Sequence, residues 1–158
     1  KGLKDFKEVR RIALSIFYMT AILEIVFAIF FILFHKELPK LYLDMGETAN
    51  LVDNTEVVLL AAKLLLVVAV FQISDGIQVV VLGALRGLQD VMIPTVITFI
   101  SYWLIGFPVS YFLGAEEVYG SFGIWIGLWA GLTAAAILLY LRFNYLTNKL
   151  IKNNHGTT

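Results

Sequence analysis

The chain of 158 residues has no cysteine, only two histidines and three prolines. Without thiols there can be no disulfide, no thiolate metal centre and no cysteine-attached haem. The two histidines, His35 and His155, lie outside the long apolar runs, so neither belongs to a histidine-rich metal cluster. No glycine-rich segment is followed by Lys and Ser/Thr, so the phosphate-cradling loop of a nucleotide-driven pump is absent. No nucleophile–base pair marks an enzyme. Charge is scarce as well. Only 15% of residues are charged, 12 basic against 12 acidic, for a net charge of zero. That balance offers no basic surface for nucleic acid.

Apolar sequence takes up the space. The chain is 59% hydrophobic with a mean hydropathy of +0.83, well above the apolar share of soluble domains. Four runs, at about 12–34, 57–85, 92–113 and 121–141, are each long enough to cross roughly 30 Å of hydrocarbon as helix. None alternates as a barrel strand would. The expectation is an all-α, polytopic transmembrane helical bundle with four membrane-spanning helices. Lys1, Lys4, Lys7, Arg10 and Arg11 precede the first run, and Arg142, Lys149 and Lys152 follow the last. The connections His35–Glu56 and Gly114–Gly120 lean acidic. By the asymmetry of Lys and Arg, both termini face the cytoplasm, in a multi-pass protein of the cell (inner or plasma) membrane. The chain opens at Lys1 on a charged segment leading straight into a helix, which predicts one piece of a longer polypeptide.

The most informative stretch is Val67–Asp90. At about 100° per residue, Gln72 and Gln78 fall roughly 60° to either side of Asp75, so the three share one helical face. A carboxylate at membrane depth costs several kcal/mol against lipid and so faces protein or water. Two readings follow: a hydrogen-bond cluster joining helices, or an ion or proton site on a transport path. Glu24, near the middle of the first run, is a second acidic candidate, with the same pair of readings. Lys63 lies about three turns and 120° away from Asp75, which argues against a pair, and it can snorkel to the interface. Arg86–Pro94 forms a tight hairpin in which Gly87 can end one helix and Pro94 can begin the next. Arg86 and Asp90 can pair there with each other or with neighbouring loops. Pro108 is expected to kink the third span, with Gly106 adding freedom, either as a hinge or as a tolerated buried proline. Gly123, Gly127 and Gly131 form one stripe that permits close helix contact.

Taken together, Gln72-x-x-Asp75-x-x-Gln78, Gly83-x-Leu85-Arg86-Gly87-x-x-Asp90, Pro94 and Tyr102-Trp103-x-x-Gly106-x-Pro108 resemble the C-terminal lobe of the multidrug and toxic-compound extrusion (MATE) family. The opening Asp5-Phe-Lys-Glu-Val-Arg-Arg resembles the loop leading into that lobe's third helix. The likeness covers nearly the whole chain, which would be the last four helices of a twelve-helix, two-lobe transporter. It implies a secondary antiporter that exports organic cations or amphipathic drugs in exchange for H⁺ or Na⁺, with no other cofactor. It also implies that Asp75 belongs to the cation site of the lobe, with Gln72, Gln78 and Phe71 around it and Na⁺ as the metal ion it would hold. Phe71 stands where some members have tyrosine, which removes one oxygen ligand. The partners implied are the remaining helices of the same transporter, small cationic or amphipathic substrates and the bilayer.

Two other readings remain open on the sequence. A flippase for a lipid-linked saccharide would share the fold, although Asp75 and Glu24 suit a cationic cargo better. A non-transport scaffold subunit would use the same polar residues as glue. The charge pattern makes a topological prediction. In intact cells, a cysteine at Gly46 or Glu116 is expected to react with an impermeant thiol reagent and one at Gln89 to stay unlabelled. Labelling of Gln89 from outside would reverse the arrangement.

Overall fold

The computed structural model describes residues 5–41, 51–115 and 119–155. Lys1, Lys4, Asp44, Gly46, Glu47, Glu116 and Glu117, which carry part of the charge pattern and two of the labelling positions, lie outside them. The described residues are helical with no strand. Helix α1, Phe6–Phe34, starts where Asp5 caps it: Oδ1 accepts the N–H groups of Lys7 and Glu8 at 3.1 and 3.2 Å. Glu8 adds negative charge to the same first turn, at the positive end of the helix dipole. A single 3₁₀ turn, Pro39–Leu41, follows. Helix α2, Leu51–Gly87, has 37 residues and is therefore roughly 55 Å long. That exceeds the hydrocarbon thickness, so it tilts or projects beyond it.

The third crossing is built from three pieces. Helix α3, Met92–Ile100, passes into a π-helical stretch, Ser101–Gly106, and then into α4, Phe107–Leu113. Pro108 explains the change of winding. It has no N–H to give, and a bonded turn there needs a different register. The Phe107 N–H reaches back five residues to the carbonyl of Tyr102, the spacing of a π turn. Helix α5, Ser121–His155, completes the set. Among the described residues, four helical segments are long and apolar enough to cross a membrane: Phe6–Phe34, Thr55–Gly87, Met92–Leu113 and Ser121–Asn153.

The α2–α3 turn closes differently from the glycine stop expected at Gly87. Gln89 takes the left-handed conformation with φ 63°. Its N–H bonds the Arg86 carbonyl at 2.9 Å, and the Asp90 N–H bonds that of Leu85 at 3.0 Å. These are the paired bonds of a Schellman cap. The turn is then fastened to α5, because Asp90 accepts from Arg142 Nε at 2.8 Å. Asp90 thus pairs with neither Arg86, which is exposed, nor a loop. Arg10 ties the start of α1 to the same end of α5 through Asn144 at 3.2 Å and through Asn148.

Helix α5 is the spine against which the others are arranged. Near its basic end, Leu139 and Phe143 pack with Val81 and Leu85 of α2 and Ala13 of α1. Phe17 meets Phe143 edge-on with ring centres 5.3 Å apart. Near its other end the contact is almost backbone to backbone. Gly131 lies against Gly106, Gly127 against Ser110, and Gly123 against Leu113. Gly106 is fully occupied as a contact surface for Gly131, and the freedom expected of it is used for packing. Outside these seams much of the surface is apolar: Tyr18, Met19, Leu33 and Leu104 are each 70% or more exposed. Such a surface is at home against lipid or further helices.

The glycine seam carries a prediction. A Cβ on Gly127 would fall on the Ser110 backbone, which cannot swing aside as a side chain can. Gly127→Val is expected to lower stability by about 2 kcal/mol, read as a fall in the thermal unfolding midpoint in detergent. An unchanged midpoint would mean that the α4–α5 seam is not tight.

Candidate functional site

Helix α2 carries four polar side chains within two turns, and the bundle deals them out to different neighbours. Gln72 turns to α1, where its Nε2 donates to the Glu24 carbonyl oxygen at 3.0 Å. Ser74 turns to α5, where its Oγ is 3.0 Å from Thr133 Oγ1 and accepts from Trp129 Nε1 at 3.2 Å. Gln78 is buried and turns to the third crossing, where its Oε1 accepts from the Tyr102 hydroxyl at 3.4 Å. Helical angles account for the division. Gln72 and Gly76 lie on one side of Asp75, Ser74 and Gln78 on the other. Asp75 is left in the open sector between two helix contacts. It is exposed, and no described residue hydrogen-bonds or ion-pairs with it.

Glu24 belongs to the same place. Its carboxyl lies over Gly76, where an added Cβ would sit 2.5 Å from Oε1. The residue next to Asp75 is therefore a notch in α2 that the second acidic side chain fills. The two carboxylic acids placed deep in the spans, 51 positions apart in the chain, come to one helix crossing. Lys63 is exposed and stands about 18 Å from Asp75 along the helix axis. Phe71 contributes an aromatic ring and no oxygen; it meets Trp125 edge-on at 6.0 Å. Arg86 is exposed at the turn, Asp90 is held by Arg142, and Gly106 and Pro108 belong to the π-helical join.

Sequence reasoning passed over Ser74, Trp129 and Thr133. The available signal was a serine beside Asp75 and a Trp–Thr pair one turn apart on α5, each a hydrogen-bonding group inside an apolar run. Together with Gln72, Gln78 and Tyr102 they form a polar layer at mid-span. An apolar groove of about 800 Å³ lies on one side of it, bordered by Tyr102, Trp103, Phe107 and Tyr111. A second, of about 390 Å³, lies on the other, bordered by Phe17, Tyr18, Ser74 and Thr133. No group of three or more His, Cys, Asp or Glu side chains able to hold a metal ion occurs among the described residues.

A polytopic helical membrane protein with carboxylates gathered at mid-span is the class these features define. The MatE family model matches residues 1–112, and the chain belongs to that family. Two relatives are each named Multidrug resistance protein NorM. The one from Photobacterium profundum is 42% identical over 129 residues, covering 79% of this chain and 26% of the relative. The one from Burkholderia vietnamiensis is 47% identical over 111 residues, covering 70% of this chain and 23% of the relative. The chain thus spans about a quarter of the length of these relatives.

The Gly76 notch is testable in the full-length protein. Gly76→Ala is expected to swing the Glu24 carboxyl, the free end of a flexible side chain, off α2 with a stability change of less than about 1 kcal/mol. A loss of more than about 2 kcal/mol, read from the unfolding midpoint, would mean that the Glu24 side chain cannot move aside.

Proposed function

We propose that the chain forms part of a secondary antiporter of the cell membrane that exports organic cations or amphipathic drugs in exchange for H⁺ or Na⁺. Asp75 is its coupling carboxylate. The observation that carries this reading is the placement of Asp75: an ionisable group at mid-span, between two helix contacts, with no partner among the described residues. A group bound only for packing would be expected inside a hydrogen-bonded seam, as Gln72, Ser74 and Gln78 are. Membership of the MatE family and the name shared by the two relatives support transport of drugs over enzymatic chemistry, and the remaining helices of the longer protein are the natural partners of the open sector.

The coupling follows from charge. A carboxylate withdrawn from water is stabilised by a proton, by a metal ion or by a cationic drug. One acid cannot hold all three, so loading one occupant displaces another. That exclusion suffices for exchange without any bond made or broken. Glu24 is the second acid of the site and the alternative carrier, because its carboxyl reaches α2 beside Asp75. The flippase reading has no cationic residue in the polar layer to support it. The scaffold reading leaves the unpartnered Asp75 without a role.

Asp75→Asn keeps size and hydrogen-bonding capacity and removes the charge. In the full-length protein, gradient-driven efflux is expected to fall by more than roughly tenfold, with expression and thermal stability kept. Normal efflux by Asp75→Asn alongside a dead Glu24→Gln would transfer the coupling role to Glu24. Normal efflux by both variants would overturn the reading.

A further inference from the structure

The groove of about 390 Å³ between α1, α2 and α5 has a basic mouth. It is lined on α1 by Leu14, Phe17 and Ala21 and on α5 by Thr133, Ile137 and Tyr140, positions that recur every three or four residues along one face of each helix. From Leu14 to Ala21 is about 10 Å along the helix axis, most of the roughly 15 Å depth of one leaflet. The inner end is closed at mid-span by Ser74 and Thr133, which bond each other at 3.0 Å. The outer end is closed one turn beyond Leu14 and Tyr140, where Arg10 reaches across from α1 to Asn144 at 3.2 Å and to Asn148. Ile77, at the back of the groove, stands about 160° around α2 from Asp75. The groove therefore looks away from the open sector that further helices of the longer protein would fill.

Arg10 is half-buried, yet its two partners are neutral amide oxygens, and it makes no ion pair among the described residues. Lys7, two turns before Leu14, and Lys152, one turn after Asn148, fall on the same helix faces. Neither is ion-paired among the described residues. Exposed Arg11 lies 3.8 Å from Glu8, a surface contact of little strength. Glu8 itself stands about 180° around α1 from Phe17, and Asp5 is committed to the helix cap. An apolar slot of leaflet depth thus opens under a cluster of unneutralised positive charge. We infer that this groove seats one anionic phospholipid, its phosphate on Arg10 and one acyl chain running inward to Ser74 and Thr133. The guanidinium has five N–H groups, more than the two asparagines take up, and a phosphate accepts them in a fork geometry. Basic clefts between membrane helices on the cytoplasmic side suit anionic headgroups, and the Lys/Arg asymmetry assigns this end of the bundle to that side. A zwitterionic phospholipid offers the same chains without the net charge. The inference does not depend on which acid couples transport.

The test uses the full-length protein in detergent, titrated with dioleoylphosphatidylglycerol and, separately, with dioleoylphosphatidylcholine. Bound lipid is counted by native mass spectrometry. The parent should bind its first phosphatidylglycerol more tightly than its first phosphatidylcholine. Arg10→Gln removes the charge and keeps a polar group for the asparagines. It should weaken phosphatidylglycerol binding roughly fivefold and leave phosphatidylcholine unchanged. Arg10→Lys keeps the charge and should keep the preference. Ala21→Phe fills the deep end of the groove and should weaken phosphatidylglycerol binding by a similar factor. Equal affinity for the two lipids in the parent overturns the inference: the groove is then covered by other helices or takes lipid without regard to charge. A preference that survives Arg10→Gln overturns it too. So does a preference lost equally in Arg10→Lys, because the bridge to the asparagines and not the charge would then be responsible. Unchanged phosphatidylglycerol binding in Ala21→Phe also overturns it, since the chain would lie elsewhere.

Discussion

Hydrocarbon supplies no hydrogen bonds, and most of this bundle follows from that constraint. Three polar side chains of α2 at depth have found partners on different neighbours: Gln72 on α1, Ser74 on α5, Gln78 on the third crossing. Polar groups on both sides of one helix can only be satisfied by helices on both sides. The arrangement around α2 is therefore a solution to its own polar sequence, and apolar packing fills in around it. Asp75 is the one member of the set that the described helices leave without a partner, which makes the same constraint a pointer to chemistry.

The third crossing meets the constraint in another way. Pro108 withholds a backbone donor, and the chain answers by widening its winding over Ser101–Gly106 instead of breaking. Ser101, buried there, returns its hydroxyl to the Ile97 carbonyl at 2.8 Å. The irregular stretch then rests on Gly127 and Gly131 of α5, where the absence of side chains lets two backbones meet. Winding and seam depend on one another. A bulkier residue on either face would lift the π-helical turns away and take Tyr102 with them.

The sequence displayed some of this plainly and hid the rest for physical reasons. Long apolar runs and a charged residue inside one of them are local properties, so the helical membrane class and the candidacy of Asp75 and Glu24 were readable. Hydropathy reports the surroundings of a residue and not its backbone, so it is silent on how far helices continue into polar sequence. Helix α1 begins at Phe6 because Asp5 caps it, and α2 reaches back to Leu51 across Asp53 and Glu56. Partners remote in the chain were hidden too. Asp90 and Arg142 stand 52 residues apart, and nothing near Asp90 favours that arginine over Arg86. In the sequence, Gly87 and Gly106 stand out for the freedom glycine has. The turn instead used Gln89 in the left-handed conformation, and the seam used Gly106 for its missing side chain.

The notch at Gly76 ties together two positions that no local rule connects. The space above that glycine is filled by the end of the Glu24 side chain, so the sizes of residues 24 and 76 draw on one shared volume. A methyl group at residue 76 would make the free end of Glu24 turn aside, so a change of size at one position is felt as a change in where the acid sits at the other.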